Sequence, residues 1–416
     1  MGIYLDHNAT TPVRPEVVEA MRECWGMDSP LRNPSSVHKL GRQARARVAQ
    51  ARAAIAEALG AQPSEIVFTG GGSEAINLAL KGVYFASEAA RPHIVTTQIE
   101  HPAVLQTCRW LERRGCRVTY VPVDNQGMAY ADEAIAAIGP DTILVSVMHA
   151  NNEVGTIQPV CEIGAAARER GVPFHVDAVQ TVGKVPVSVD ELNCDLLSAS
   201  AHKIHGPQGV GALYVREGTL LEPLIHGGGQ ERGLRAGTEN VPGICGFAEA
   251  VRLALEEMDA NRRRSLRHRA QLLRLLRELP AVHLNGHPTQ VLPHTVSLSF
   301  MYIDGMALAL NLSLRGIYVS NASACHSHSL EPSHVLLAMG LTERAAHGAV
   351  RFSLGASNTD EEIDTVVEEV LKLVAKLRIA TAPEDIGQCK DDCPCFTDPD
   401  RRPAASTAAL RAGAPA

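Results

Sequence analysis

No apolar run in the 416-residue chain approaches the roughly 18 residues that a membrane-crossing helix needs, so no spanning segment is expected. The opening residues, MGIYLDHNATTP, lack the basic and apolar regions of a secretory signal. Asp6 occupies the position where a myristoylation motif carries Ser or Thr. There is no strong charge imbalance either. A net charge of −7 gives no general attraction to nucleic acid or an anionic membrane. The one basic cluster, Arg262, Arg263, Arg264, Arg267 and Arg269, falls in a helical pattern and reads as a solvated helix face. The 10 cysteines are scattered along a long chain instead of framing a small one, which suits reduced thiols in the cytoplasm. Nothing here indicates a nucleic-acid or membrane partner.

What the sequence does contain is alternation. Short apolar runs at Glu65–Thr69, His93–Thr97, Arg117–Val123, Thr142–Met148, Pro173–Asp177, Asp195–Ser198 and Gly211–Val215 read as strands buried on both faces. Helical patterns such as Ser73–Phe85, Pro102–Arg114 and Val160–Arg170 lie between them. This order predicts an α/β fold with a mostly parallel sheet flanked by helices, and a ligand beyond the carboxyl ends of its strands. Later segments change character. Phe247–Leu279 reads as long helix with Leu266, Leu272, Leu273, Leu276 and Leu279 on one stripe. Thr295–Phe300 alternates like a strand with one solvated face, and Glu361–Leu377 is an amphipathic helix. The expected division is a large domain over 15–257, a smaller α+β domain from 1–14 and 258–380, and a disordered tail over 381–416.

Three features after predicted strands point to one cofactor. Lys203, in Ser200-Ala201-His202-Lys203 before a Gly-rich turn, suits a desolvated lysine that forms a Schiff base. Asp177 ends a strand and suits an acidic partner for a pyridine nitrogen. Thr69-Gly70-Gly71-Gly72-Ser73-Glu74 joins a strand to a helix and suits a phosphate, with Ser73 equally readable as a helix N-cap. Each alone has an ordinary structural explanation. Together they indicate pyridoxal 5'-phosphate.

The segments YLDHNATTP, NPSSVHKLG, FTGGGSEAINLA, EHPAV, MHANNEVGT, FHVDAVQTVGK, SAHKIHGPQGVGALYV, HGGGQERGLRAGTEN, SACHSHSLEPSHVL and RFSLG carry a family resemblance. From Tyr4 to about Arg378 the chain resembles cysteine desulfurases of the iron–sulfur-cluster and nitrogen-fixation type, which are fold type I pyridoxal-phosphate transferases. The resemblance implies that Lys203 holds the cofactor, Asp177 pairs its ring nitrogen, and His101 stacks on the ring. Asn152 and Gln180 would bond its phenolic oxygen. Gly72, Ser73, Ser200 and His202 would hold the phosphate, with Thr238 contributed from the second subunit of a homodimer. Arg351, helped by Asn33, would clamp the carboxylate of L-cysteine.

Cys325 lies in a small, polar stretch beside His326 and His328, whereas Cys161 and Cys245 have the apolar neighbours of buried structural thiols. The resemblance makes Cys325 the thiolate that receives the substrate's sulfur as a persulfide and delivers it to a sulfur-acceptor or iron–sulfur scaffold protein. The stretch departs from the family pattern at Asn321, Ala322 and His326. Cys325 as a shared iron–sulfur ligand stays open, as does a relay or ligand set from Cys389, Cys393 and Cys395, whose spacing matches no standard metal site. Selenocysteine lyase and transaminase are the competing enzyme readings, and a sulfur or cluster carrier the non-enzyme one.

Overall fold

The apolar runs become strands because only a position covered on both faces suits near-continuous Val, Ile and Leu. The computed structural model describes residues 2–27, 29, 31–321, 331–379, 386 and 394–397. It opens with β1 (Ile3–Tyr4), α1 (Pro15–Arg22) and α2 (Lys39–Leu59). Then follow β2 (Ile66–Thr69), α3 (Gly72–Ala86), β3 (His93–Thr97), α4 (Pro102–Glu112), β4 (Arg117–Val121) and α5 (Ala131–Ala137). The alternation continues with β5 (Thr142–Met148), α6 (Val160–Glu169), β6 (Phe174–Asp177), β7 (Leu196–Ser200) and β8 (Gly211–Val215).

These strands form one sheet in the order β2-β8-β7-β6-β5-β3-β4. Parallel pairing holds from β7 through β6, β5 and β3 to β4. The departure is β8, which runs antiparallel to both β2 and β7. The turn at Gly206–Gly209 sends the chain straight back beside β7, where a parallel strand would need a crossover. Helices cover the sheet on both faces through two apolar clusters, one around Val145, Phe174 and Phe247 and the other around Leu78, Ile94 and Leu213.

The chain continues through α7 (Val241–Leu272), α8 (Leu275–Glu278), β9 (Val282–Asn285), β10 (Thr295–Phe300) and α9 (Gly305–Ser313). β11 (Ile317–Tyr318), β12 (Ser320–Asn321), α10 (His334–Ala338), α11 (Glu343–His347), β13 (Ala349–Ser353) and α12 (Asp360–Arg378) complete the regular elements. β12, β13, β10 and β9 make a second, antiparallel sheet. Its core is separate, built on Phe300, Phe352, Val366 and Val370. The expected division at 257–258 falls inside α7, whose first half packs into the large core while Leu272 enters the small one.

Several expectations are corrected. β10 has no solvated face, since all six residues are buried. Its polar side is instead satisfied from within: Asn285 Nδ2 donates to Ser297 Oγ (3.2 Å) and Ser299 Oγ (3.0 Å), and Asn8 Nδ2 donates to Thr295 Oγ1 (2.9 Å). Strict alternation cannot distinguish water from a buried polar ladder. The arginine-rich segment is not wholly solvated, because Arg269 is buried and donates to the Thr295 carbonyl. Leu266 is exposed, off the apolar stripe. Cys161 is exposed rather than buried.

The expectation of a disordered tail is corrected at residues 394–397. Phe396 is fully buried against Leu336 and Met339 and stacks on His283 at 5.1 Å between ring centroids. Its carbonyl accepts from Thr342 N at 3.0 Å. The composition of the tail concealed one aromatic anchor. Phe396→Ala is expected to lower unfolding free energy by about 3 kcal/mol in chemical denaturation; a change near zero would mean that the anchor contributes nothing.

Candidate active site

Each parallel strand ends where its chain leaves the sheet, and these ends gather the chemistry. β6 ends on Asp177, β7 on Ser200, and β2 leads into the Gly70–Gly72 turn. An open cleft over these ends is lined by Gly72, Ser73, His101, Asn152, Asp177, Gln180, Ser200, His202, Lys203 and Arg351. Residues as far apart in sequence as Gly72 and Arg351 thus converge at the strand ends.

Asn33 and Thr238 do not line the cleft. Asn33 is exposed, its Oδ1 accepting from Ser35 N at 2.9 Å, and Thr238 is exposed just before α7. Cys325, Cys389 and Cys393 lie outside the described residues, and Cys395 sits half-buried beside Phe396. Among the described residues no three His, Cys, Asp or Glu side chains cluster as metal ligands.

Local geometry explains how each group is held. Gly71, not Ser73, is the N-cap of α3; it has φ +141° and offers no side-chain cap. The first N–H groups of a 15-residue helix therefore face the cleft, the usual setting for a phosphate. A Cβ at Gly72 would meet Val179 Cγ2 at 2.8 Å, so the backbone must be bare there. Beside it the Ser200 hydroxyl is buried without a partner, a donor awaiting an anion. Glu74 is neutralised by Arg235 at 2.9 Å.

Asp177 is buried, and burial pushes its carboxyl up to about 6, against the pull of the Val179 N–H and the Lys203 charge. A buried acid of this kind is satisfied by a cationic ring nitrogen. His101 caps α4 with Nδ1 accepting from Ala103 N at 3.0 Å, which leaves the proton on Nε2. Lys203 Nζ donates to the carbonyls of Asn8 (2.5 Å) and Ala9 (2.7 Å). Arg351 donates from Nη1 to Asn152 O (2.9 Å) and pairs through Nη2 with Asp6 (2.7 Å). Its Nε is buried without a partner, and this donor remains for a substrate carboxylate. Of the two adjacent asparagines, Asn151 is the turn former, its Oδ1 accepting from Glu153 N (2.8 Å) and Val154 N (3.0 Å).

Sequence reading gave no role to Asn8, Thr10, Lys184, Glu100 or Glu153. Asn8 and Thr10 stand in the matched segment YLDHNATTP, which was the available signal. Glu100, Glu153 and Lys184 likewise stand in the matched segments EHPAV, MHANNEVGT and FHVDAVQTVGK, but only their burial in the fold marks them out. Glu153 Oε2 accepts from Ser333 Oγ at 2.5 Å, tying the loop after β5 to the start of α10.

The residue set fits pyridoxal phosphate: an uncapped helix end and orphaned hydroxyl for the phosphate, a buried acid for the ring, and a lysine between them. Comparison with known proteins agrees. The family model for aminotransferase class-V matches residues 3–366. The chain belongs to the class-V aminotransferases. Members of this family similar to it include the cysteine desulfurase IscS of Methanosarcina thermophila, 52% identical over 91% of this chain and 93% of the relative. IscS of Dictyoglomus turgidum is 48% identical over 90% and 95%. Among solved structures, a NifS-like protein superposes with a TM-score of 0.85 at 43% identity, covering 90% of this chain and all of its own. A structure of SspA in complex with cysteine gives 0.76 at 40% identity, covering 85% and 98%. Pyridoxal phosphate is the cofactor of this class-V aminotransferase family member.

Burial raises the Glu153 carboxyl from 4.5 to about 7. The folded state therefore binds a proton that the unfolded state has lost between those values, and stability falls as pH rises through the window. Glu153→Gln keeps an acceptor for Ser333 but cannot ionise. Its stability relative to the parent is expected to improve by roughly 2–3 kcal/mol between pH 5 and pH 8, measured by denaturant titration. An unchanged difference across that range would contradict the assignment.

Proposed function

We propose that this chain is a cysteine desulfurase, converting L-cysteine to L-alanine and leaving the sulfur as a persulfide on Cys325. The carrying observation is that Lys203, the buried Asp177 and the uncapped end of α3 meet in one cleft. When bound, pyridoxal phosphate supplies the electron sink that makes the substrate's α-proton labile.

The chain's own residues do the rest. Arg351 Nε orients the substrate carboxylate, with Asp6 holding the guanidinium in place. Lys203 Nζ, fixed between two carbonyls, is placed to take and return the α-proton. His101, with Nδ1 taken by Ala103 N, would offer Nε2–H to the ring from the wall of the cleft. Asp177 would keep the ring nitrogen protonated, and Gln180 and Asn152, which line the same cleft, would bond its phenolic oxygen. The Cys325 thiolate then attacks the substrate sulfur: the S–S bond forms as the Cβ–S bond breaks. The net change is cysteine plus a protein thiol giving alanine plus a protein persulfide. The persulfide passes to the thiol of an acceptor or iron–sulfur scaffold protein in the cytoplasm. The enzyme acts as a homodimer in which Thr238 of each copy serves the other's phosphate site. No described helix is long and apolar enough to cross a membrane.

Cys325→Ala tests the reading. Purified variant incubated with cysteine is expected to keep the yellow cofactor band while losing the mass-mapped persulfide and over 100-fold of sulfide output, on the scale of removing a nucleophile. Unchanged output of alanine and sulfide would overturn the desulfurase assignment.

A further inference from the structure

A second lysine stands behind the cleft. Lys184 follows Gln180 by one turn, and its Nζ lies 3.3 Å from Gln180 Oε1 and 3.3 Å from His294 Nε2. Gln180 is itself buried, and its Nε2 donates to the Asn8 carbonyl at 3.1 Å. The same carbonyl accepts from Lys203 Nζ. Lys184 and Lys203 both line a second cavity, which shares Lys203 with the cofactor cleft.

A buried primary amide has two orientations, and its partners choose between them. Here both partners choose the same one. The amine of Lys184 donates to the amide oxygen, and the Asn8 carbonyl accepts from the amide nitrogen. Turning the amide over would oppose two carbonyl oxygens and leave the lysine facing an N–H, at the cost of both hydrogen bonds. With the oxygen held back by Lys184, the second N–H of Gln180 is the group presented to the cleft. A cofactor oxygen that carries negative charge needs that donor, not an acceptor.

We propose that Lys184 is a positioning residue, fixing the Gln180 amide so that an N–H faces the phenolic oxygen of bound pyridoxal phosphate. This rests on the cofactor reading above. The charged groups that face Lys184 are Lys203 and Arg351, with the imidazoles of His7, His202, His205 and His294 around it. Burial, reinforced by those two cations, lowers its amine to about 7; below that pH the ammonium can only donate, and this is the form that fixes the amide.

The test is a pH titration of the visible absorbance of the holoenzyme in a two-by-two set: parent, Lys184→Met, Gln180→Leu and the double variant. Loss of an N–H donor to the phenolic oxygen disfavours its ionised form. Lys184→Met is therefore expected to raise the absorbance midpoint by roughly 0.5–1 pH unit, the size of one hydrogen bond. In the Gln180→Leu background the same substitution is expected to add nothing. Lys184→Arg, which carries a donor into the adjoining cavity, is expected to return the midpoint toward the parent value, and its comparison with Lys184→Gln covers the case in which the Met variant does not fold. An equal shift in both backgrounds would show a direct charge effect and overturn the proposal, as would no shift in the parent background. A parent protein with no visible cofactor band would instead overturn the cofactor reading itself.

Discussion

The carbonyl oxygen of Asn8 is the point on which the cleft depends. It accepts from Lys203 and from Gln180, two residues carried by different connections of the large sheet. The Asn8 side chain meanwhile donates to Thr295 Oγ1 of β10 and to the Asn152 carbonyl. One residue thereby joins the N-terminal segment, the small sheet and the strand ends of the large one. The segment around it is tied along its length: β1 pairs with β11, His7 N donates to Ser353 O, and Thr11 N to His202 O. A lysine that must give up its present partners to hold a cofactor is best served by backbone carbonyls, which are fixed in place and carry no charge that would trap it.

The second constraint is dehydration. Imidazoles at His7, His149, His175 and His202 are held neutral, pushed down to about 3–4 chiefly by burial. Glu100 is pushed up to about 8, with Oε2 lacking a hydrogen-bond partner. In such surroundings the few charges that remain act strongly: Asp177 toward a ring cation and Arg351 toward a carboxylate. Two contacts, Ser333 to Glu153 and His334 to the Glu100 carbonyl, fasten the start of α10 to these same strand ends.

Much of this was legible in the sequence, for definite reasons. Strands buried on both faces announce themselves by composition, so β3, β5 and β8 begin and end where the apolar runs do. Lys203, Asp177 and the Gly70–Gly72 turn stood out because each follows such a strand. What the sequence concealed depended on satisfaction from afar. The polar face of β10 looked solvated because its partners, Asn285 and Asn8, lie elsewhere in the chain. Lys184 closes the matched segment FHVDAVQTVGK, but its role emerges only from its approach to Gln180 and His294. Phe396 was hidden in a tail whose composition suggests disorder, since a single buried ring scarcely changes an average.

The central claim is that Lys203, rather than the neighbouring Lys184, is the cofactor lysine. Reduction of the purified yellow protein with borohydride, followed by peptide mass spectrometry, reads this directly by fixing the cofactor where it is bound. A pyridoxyl-phosphate adduct is expected on the peptide containing Lys203 and none on that containing Lys184. An adduct on Lys184, or on no lysine of the cleft, would contradict it.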